Sequence, residues 1–372
     1  MTTNKENYLQ EVLSHLKALV AFDTQNPPRD IQAEGGIIGY LQDALPGFDF
    51  KLYDAGDGCM GLLATRGVTD RLYNFHIDTV PVAPNWQRDP FALTIEDDKA
   101  YGLGTCDIKG ASACMLVAAK YTEGPLALLF STDEEHGSSL AVKTFLAQNQ
   151  NYHEAIVSEP TLTKATLAHR GIQSGKVRFS GVSGHGSQSR AITDNAIHKH
   201  ARWLNAVLEW VEGTKATFQN LSGFPFNSGK IDGGIKANMI AANSEMTFGF
   251  RPLPGMDSAA MIQTMRELGY DLGFSDEEFT IKPAFFGPTL PAANQPFDIA
   301  YKAAERLAAS CELTVGPAVD FWTEASLFSQ AGMTALVYGP GDITQAHTAD
   351  EWVELAQLEQ VAKQYIAMIN TQ

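Results

Sequence analysis

The order of strand-like and helix-like segments constrains the fold of this chain most strongly. Short apolar runs, such as 72–75 and 126–130, alternate with amphipathic helix-like stretches in the first part of the chain, which is the pattern of an α/β sheet. From 172–285 the order changes to strand, helix, strand, strand, helix, strand, which is typical of a ferredoxin-like α+β unit. The α/β pattern then resumes. We therefore predict one discontinuous α/β domain, 1–171 and 286–372, with a second domain inserted at 172–285.

Composition excludes several classes of partner. The chain has 372 residues, enough for two domains, with 27 Lys and Arg against 43 Asp and Glu, giving a formal charge of -16. This charge disfavours binding to nucleic acid or to an anionic membrane, and no apolar run is long enough to span a bilayer. The four cysteines form no CxxC pair, so we expect no disulfide framework and a reducing, cytoplasmic location.

Histidines and acids recur directly after the apolar strand runs or after glycine-containing turns. Because the carboxyl ends of parallel strands meet at one edge of a sheet, side chains in these places can converge. Imidazole and carboxylate groups without a thiolate suit a hydrolytic zinc site, although cobalt or manganese would also be accepted. The residues of this kind are His76, Asp78, Asp107, Glu134, Glu135, Glu159 and His347.

The His76-Ile-Asp78 motif follows a predicted strand, where alternation places residues 76 and 78 on the same side. A histidine that binds metal commonly needs a carboxylate on its other ring nitrogen, and Asp78 is placed for that task. Asp107 lies in a glycine turn that begins at Gly102. This turn fits a dinucleotide fingerprint poorly because GxGxxG would require glycine where Asp107 stands.

Glu134 and Glu135 follow an apolar strand directly, where two adjacent carboxylates repel each other unless cations or protons offset them. Since neighbouring side chains point in different directions, one glutamate can bind metal while the other serves as a general base toward water. A solvated helix N-terminus is the alternative interpretation of this acidic pair.

Longer motifs extend the pattern over nearly the whole chain. They are Gly181-Val-Ser-Gly-His185-Gly-Ser, Gly233-Gly-Ile-Lys-Ala-Asn238, Phe248-Gly-Phe-Arg251-Pro, Phe321-Trp-Thr-Glu324-Ala and Gly339-Pro-Gly-Asp-Ile-Thr-Gln-Ala-His347. Together with the acids and histidines, they resemble the acetylornithine deacetylase family of co-catalytic zinc amidohydrolases. The resemblance implies a zinc-peptidase-like catalytic domain with a mixed sheet, and an inserted ferredoxin-like domain for lid and dimer contacts.

The resemblance also implies a role for each residue of the metal site. His76 and Glu159 would bind one divalent ion, Glu135 and His347 would bind the second, and Asp107 would bridge the two. Glu134 would be the general acid and base, and Asp78 would orient His76.

The inserted domain would complete the site. The resemblance implies that His185 stabilises the oxyanion, in dimeric members from the partner subunit, and that the protein is a homodimer through this domain. Arg251 suits bidentate capture of a substrate carboxylate, and Asn238 would add a polar contact. On the predicted strand, Met246, Phe248 and Phe250 alternate inward and leave Arg251 on the open face.

The first expectation that the resemblance implies for the reaction is hydrolysis of N-acetyl-L-ornithine to L-ornithine and acetate, a step of arginine biosynthesis. N-acetyl-L-citrulline is the alternative substrate implied by the same motifs. An aminoacylase or a dipeptidase of the same family is more distant, as is a non-catalytic relative that keeps the fold for binding.

Overall fold

The computed structural model describes residues 7–136, 139–148 and 151–371. Its helices follow the amphipathic stretches of the sequence closely. They are α1 Tyr8–Val20, α2 Gly36–Ala44, α3 Lys109–Lys120, α4 Leu140–Ala147, α5 Ala191–Asp194, α6 Ala196–Gly213, α7 Ser258–Asp271, α8 Phe297–Ser310, α9 Ala325–Gln330 and α10 Leu355–Asn370.

The strands fall into two main sheets and several short pairs. They are β1 Asp49–Gly56, β2 Cys59–Arg66, β3 Arg71–His76, β4 Thr94–Glu96, β5 Lys99–Tyr101, β6 Leu126–Ser131, β7 Glu154–Val157, β8 Ile172–Ser180, β9 Gly184–His185, β10 Thr217–Phe218, β11 Leu221–Ser222, β12 Phe226–Gly233, β13 Met239–Ile240, β14 Asn243–Phe250, β15 Phe279–Gly287, β16 Thr334–Val337 and β17 Trp352–Glu354.

The first main sheet has six strands in the order β1-β2-β6-β3-β7-β16. Strands β6, β3, β7 and β16 run parallel, and β2 joins β6 in the antiparallel sense. The central strands β3 and β6 are buried along their whole length, as expected where helices cover a parallel sheet. The predicted mixed α/β sheet is confirmed.

Helices α1, α3 and α10 pack on one another, while α4 and α9 contact strands of the sheet. Helix α3 is buried from Lys109 to Ala119, so it lies inside the domain rather than on its surface. Tyr365 of α10 meets the rings of Tyr73 and Phe75 on β3 edge to face. These contacts fix the C-terminal helix onto the strand that ends at His76.

The second main sheet is antiparallel, with the order β12-β14-β8-β15. Side chains on one face alternate into a core with helices α6 and α7, where Phe179 and Met246 pack near Trp203 and Met265. Met246, Phe248 and Phe250 are buried, as the alternation predicted. Strand β12 forms an edge of the sheet, and its residues Asn227–Asp232 are exposed.

The chain divides into two compact units. The unit with the antiparallel sheet comprises Ala168–Phe297 together with Pro317–Trp322. It therefore begins earlier, ends later and includes a second segment compared with the expected 172–285. Among the described residues, no helix is both long and apolar enough to cross a membrane.

Candidate metal centre

Except for Asp107, which lies in the turn before α3, the acids and histidines predicted for the site lie at or just beyond the carboxyl ends of four neighbouring parallel strands. His76 is the last residue of β3, and Glu159 follows the end of β7 by two residues. Glu134 and Glu135 follow β6, and His347 lies in the loop after β16. The structure thus brings together side chains that are up to 271 residues apart in sequence.

One group of possible metal ligands consists of His76, Asp107 and Glu159. His76 Nε2 lies 2.9 Å from Asp107 Oδ1 and 3.8 Å from Glu159 Oε1. All three residues are buried, and their ligand atoms lie within 4.8 Å of one another. An imidazole nitrogen and two carboxylate oxygens at this spacing can hold one divalent cation.

A second group consists of Asp107, Glu135 and His347. His347 Nε2 lies 3.1 Å from Glu135 Oε2 and 3.4 Å from Asp107 Oδ2. Asp107 therefore presents Oδ1 to one histidine and Oδ2 to the other, which is how a carboxylate bridges two ions. The His347 side chain is 53% exposed while those of Asp107 and Glu135 are 7% and 5% exposed, so the centre is open on the His347 side.

The clustered carboxylates of this centre favour the binding of cations. Burial, followed by the charge of Asp107, raises the pKa of Glu159 well above its usual range and also raises the pKa of Glu135. Hydrogen bonds that His347 donates to the carboxylates of Asp107 and Glu135 raise its pKa to about 11. Although burial favours neutral His76, its carboxylate neighbours Asp107 and Asp78 raise its pKa well above the usual value. The carboxylates thus favour positive charge on both histidines, and divalent ions would offset the same carboxylates.

Glu134 is in the same electrostatic environment but belongs to neither ligand group. Burial and then the charge of Glu159 raise its pKa well above the ordinary value. The carboxylate of the next residue, Glu135, contacts the imidazole of His347. The two adjacent glutamates are thus separated into one that belongs to a ligand group and one that does not.

Asp78 supports the centre in two ways. His76 Nδ1 lies 3.0 Å from the main-chain carbonyl oxygen of Asp78 and 3.7 Å from its carboxylate, so the carbonyl, rather than the expected carboxylate, holds the imidazole. The carboxylate instead accepts the backbone N–H groups of Glu134 and Glu135, at 3.3 and 3.1 Å, and the side-chain amide of Asn26 at 2.9 Å.

The turn before Asp107 requires glycine at residue 104. Gly104 has φ of +82°, and a Cβ atom there would come within 2.9 Å of the side chains of Lys109 and Thr79. A side chain at this position would be both strained and crowded. This explains the glycine turn without any phosphate-binding role.

The other expected site residues belong to the second unit. His185 is exposed on β9, which pairs with β13 so that His185 lies opposite Met239, next to Asn238. The Nδ1 atom of His185 is 2.7 Å from Ser187 Oγ, and the carbonyl of Asn238 accepts the N–H of Gly186 at 2.8 Å. Arg251 follows the end of β14, and its N–H donates to the carbonyl of Pro225 at 3.0 Å.

Three buried polar residues near the centre were not predicted as site residues, although Glu324 lies in one of the motifs that carry the resemblance. Glu351 binds the turn that carries Asp107, Glu324 accepts a hydrogen bond from Ser131 Oγ at 2.8 Å, and Asn26 holds Asp78. Sequence position offers one signal for Glu351, which comes four residues after His347. The pattern of the chain does not otherwise distinguish it from surface acids.

The fold and the centre define the class of the protein. It is a hydrolase that acts on amide bonds and has two adjoining groups of possible metal ligands. The chain belongs to peptidase family M20/M25/M40, whose sequence profile matches residues 72–371. This membership confirms the resemblance found in the sequence.

Two curated relatives are similar over most of the chain. N-acetyl-L-citrulline deacetylase of Xanthomonas campestris pv. campestris is 48% identical over 369 residues, covering 97% of this chain and 98% of the relative. Acetylornithine deacetylase of Yersinia pseudotuberculosis is 34% identical over 306 residues, covering 76% and 74%.

Solved structures with low identity share the fold. Aminopeptidase PepT from Bacillus cereus has a TM-score of 0.74 at 17% identity, with 98% of both chains covered. The YXEP protein of Bacillus subtilis, described as a dinuclear metal-binding peptidase of the M20 family, has a TM-score of 0.69 at 12% identity, with 98% of both chains covered. These likenesses confirm the expected architecture.

Proposed function

We propose that this protein is a two-metal deacetylase that hydrolyses N-acetyl-L-citrulline to L-citrulline and acetate. The proposal rests on one observation: the two carboxylate oxygens of Asp107 face different histidines, Oδ1 facing His76 and Oδ2 facing His347. The choice of citrulline is supported by the relative that is 48% identical over almost the full length. This favours the second of the two substrates expected from the sequence.

His76 and Glu159 would hold one ion, Glu135 and His347 the other, and Asp107 both. The donor set of imidazole and carboxylate suits zinc, and cobalt or manganese could substitute. When bound, the two ions would polarise the acetyl carbonyl and lower the pKa of water in the centre.

Glu134 carries the proton in this proposal. Its carboxylate removes a proton from the attacking water, whose oxygen forms a bond to the acetyl carbon. Glu134 then gives that proton to the α-nitrogen as the carbon–nitrogen bond breaks, and the proton left on the new carboxyl group passes to the released amine, so acetate and the protonated amine leave and Glu134 is restored. Asp78 fixes Glu134 for this task through the Glu134 backbone N–H.

Three residues expected from the sequence, His185, Arg251 and Asn238, would recognise the substrate. His185 would donate a hydrogen bond to the oxyanion, and Arg251 would bind the substrate carboxylate through its guanidinium fork. Asn238 would add a polar contact. A substrate with a free α-carboxylate and an acylated α-nitrogen would offer a carboxylate to Arg251 and an acyl oxygen to His185.

N-acetyl-L-ornithine is a second candidate because deacetylases of that substrate are 34% identical to this chain. Either product would serve arginine biosynthesis in the cytoplasm. The decisive measurement compares kcat/KM for N-acetyl-L-citrulline, N-acetyl-L-ornithine and a dipeptide with metal-loaded protein. We expect the citrulline derivative to have the highest value. A higher kcat/KM for N-acetyl-L-ornithine would make that compound the substrate instead, and a higher kcat/KM for the dipeptide would favour a dipeptidase. No turnover of any of the three compounds would favour a non-catalytic relative.

A homodimer through the inserted domain is supported by the surface around β12. Within the described residues this strand pairs only with β14, and Ile231 and Ile235 nearby are 54% and 80% exposed. Exposed apolar side chains beside an open strand edge favour pairing with another chain. Ile231→Asp should shift the mass measured by light scattering from dimer to monomer, whereas Val68→Asp, at an exposed valine of the first unit, should not. A monomeric parent protein would contradict the proposal.

A further inference from the structure

Glu351 is a buried acid whose side chain accepts three backbone N–H groups of one turn. Its Oε2 atom accepts the N–H of Gly104 at 2.9 Å, and its Oε1 atom accepts the N–H groups of Cys106 and Asp107 at 2.8 and 3.0 Å. The residue is 2% exposed. A carboxylate that accepts three backbone donors inside a protein holds those donors in one arrangement.

The main chain of Glu351 binds the same turn. Its carbonyl oxygen accepts the N–H of Gly102 at 3.1 Å and the hydroxyl of Thr105 at 3.3 Å. The next residues, β17, pair with β5 immediately before the turn, with Trp352 opposite Tyr101. Glu351 therefore fixes the turn from Gly102 to Asp107 along its length.

The same segment also carries His347, four residues before Glu351. His347 lies 3.4 Å from Oδ2 of Asp107. One short stretch of chain thus supplies a ligand to the second group and holds the backbone of the residue that both groups share. A displacement of Glu351 would change the positions of Asp107 and His347 together.

We propose that Glu351 is a positioning residue for the two-metal centre, which sets the orientation of the Asp107 carboxylate so that each oxygen faces a different ion. The inference rests on the proposed function, because it needs the two groups to bind metal. Glu351 itself contributes no atom to either group of ligands. Its effect on catalysis is exerted through Asp107.

Two substitutions at Glu351 remove different parts of its side chain: one removes the charge and one acceptor oxygen, and the other removes both oxygens. In Glu351→Gln one oxygen can still accept from Cys106 and Asp107, but the amide NH₂ faces the N–H of Gly104, so two donors oppose each other. In Glu351→Ala all three N–H groups lose their buried partner. Asp350→Asn is the matched control, since the neighbouring Asp350 accepts the N–H groups of Gln87 and Arg88 instead.

The test is a competition titration of the metal-free proteins with zinc and a chelator, together with the visible spectrum of the cobalt-loaded proteins. We expect Glu351→Ala to weaken zinc binding about 10- to 100-fold and to change the cobalt spectrum. Glu351→Gln should have a smaller effect in the same direction, and Asp350→Asn should behave like the parent protein.

Two results would overturn the inference: parent-like zinc affinity and spectrum in a folded Glu351→Ala, or equal loss of affinity in Asp350→Asn. If Glu351→Ala does not fold, Glu351→Gln decides, and a parent-like zinc affinity in that variant overturns the proposal. A parent protein that binds fewer than two ions would instead contradict the proposed metal centre itself.

Discussion

The carboxylate of Asp78 accepts the backbone N–H of Glu135 at 3.1 Å. This bond links the loop after β3 to the loop after β6, and a second bond to the N–H of Glu134 strengthens the link. The residue that holds His76 through its carbonyl thus also fixes the backbone of Glu134, the proposed general base, and of Glu135, a proposed ligand of the second group. Three side chains of the proposed site depend on one aspartate.

Removal of the Asp78 carboxylate should therefore damage both metal binding and turnover. Asp78→Ala leaves the N–H groups of Glu134 and Glu135 without their acceptor, so we expect kcat to fall about 10- to 100-fold together with weaker zinc binding. Asp78→Asn, which keeps one acceptor oxygen, should lose less. Asp54→Asn is the control because Asp54 accepts only a local N–H on the edge strand β1. Equal losses in the Asp54 variant would show a general rather than a specific effect.

Glu134→Gln should bind metal like the parent but lose turnover by about 10²- to 10⁴-fold. The amide cannot accept the proton of water, while no ligand of either group has been changed. Elemental analysis and kcat on the same preparation measure the two effects. Glu135→Gln provides the contrast, since it should lose metal as well. Near-normal turnover of Glu134→Gln would remove Glu134 from the proton-transfer role.

His347→Ala should lower the occupancy of one ion and leave the other bound. Asp107 and Glu135 would then remain without a nitrogen ligand in the second group, whereas the His76 group is unchanged. Elemental analysis after dialysis against a weak chelator reports the number of ions per chain. His136→Ala is the control, because His136 is exposed next to Glu135. Two retained ions in the His347 variant would exclude it from the ligands.

His200 should make the inserted unit sensitive to acid. Burial lowers its pKa from 6.5 to about 4; its Nδ1 atom contacts Ser244 Oγ at 2.7 Å, and its buried Nε2 has no hydrogen-bond partner. Because folding favours the neutral ring, stability is complete above pH 6.5 and declines as the pH falls toward 4, by about 3 kcal/mol at most.

Thermal unfolding of the parent and of His200→Gln between pH 7.5 and 4.5 tests this expectation. The variant is less stable at pH 7.5, because the ring packs against Phe179 and Trp203, but its melting temperature should fall less steeply with acid. Parallel pH profiles for the two proteins would contradict the assignment to His200.

Much of the fold follows from periodicity. The strand runs that precede His76, Glu134 and Glu159 are short, apolar and bounded by polar residues, so their positions and the convergence of their ends could be predicted. The alternation of Met246, Phe248 and Phe250 predicted which face of their strand is buried. Both inferences depend on local sequence, where the physical signal is strong.

Contacts between distant segments could not be predicted. The segment around Asp320 belongs to the inserted unit because Asp320 pairs with Arg170 at 2.6 Å and Val319 bonds to the backbone of Ala168, neither of which leaves a periodic signal. The Asp78 carbonyl, rather than its carboxylate, holds His76 because of the local path of the chain. Glu351 binds backbone N–H groups, and because every residue except proline has one, the sequence does not indicate which of them Glu351 binds.

The separation of His76 and His347 by 271 residues has a consequence for biosynthesis. At about 5–20 residues per second, translation needs roughly 15–55 s between the first histidine and the second. Once Glu159 has been synthesised, the nascent chain contains every carboxylate of the two ligand groups but still lacks His347, as well as the helix α10 that packs on α1 and α3. The His76 group can therefore be complete on the nascent chain before the second group is, and an ion that needs His347 could be held by its full set of ligands only after that residue has been synthesised.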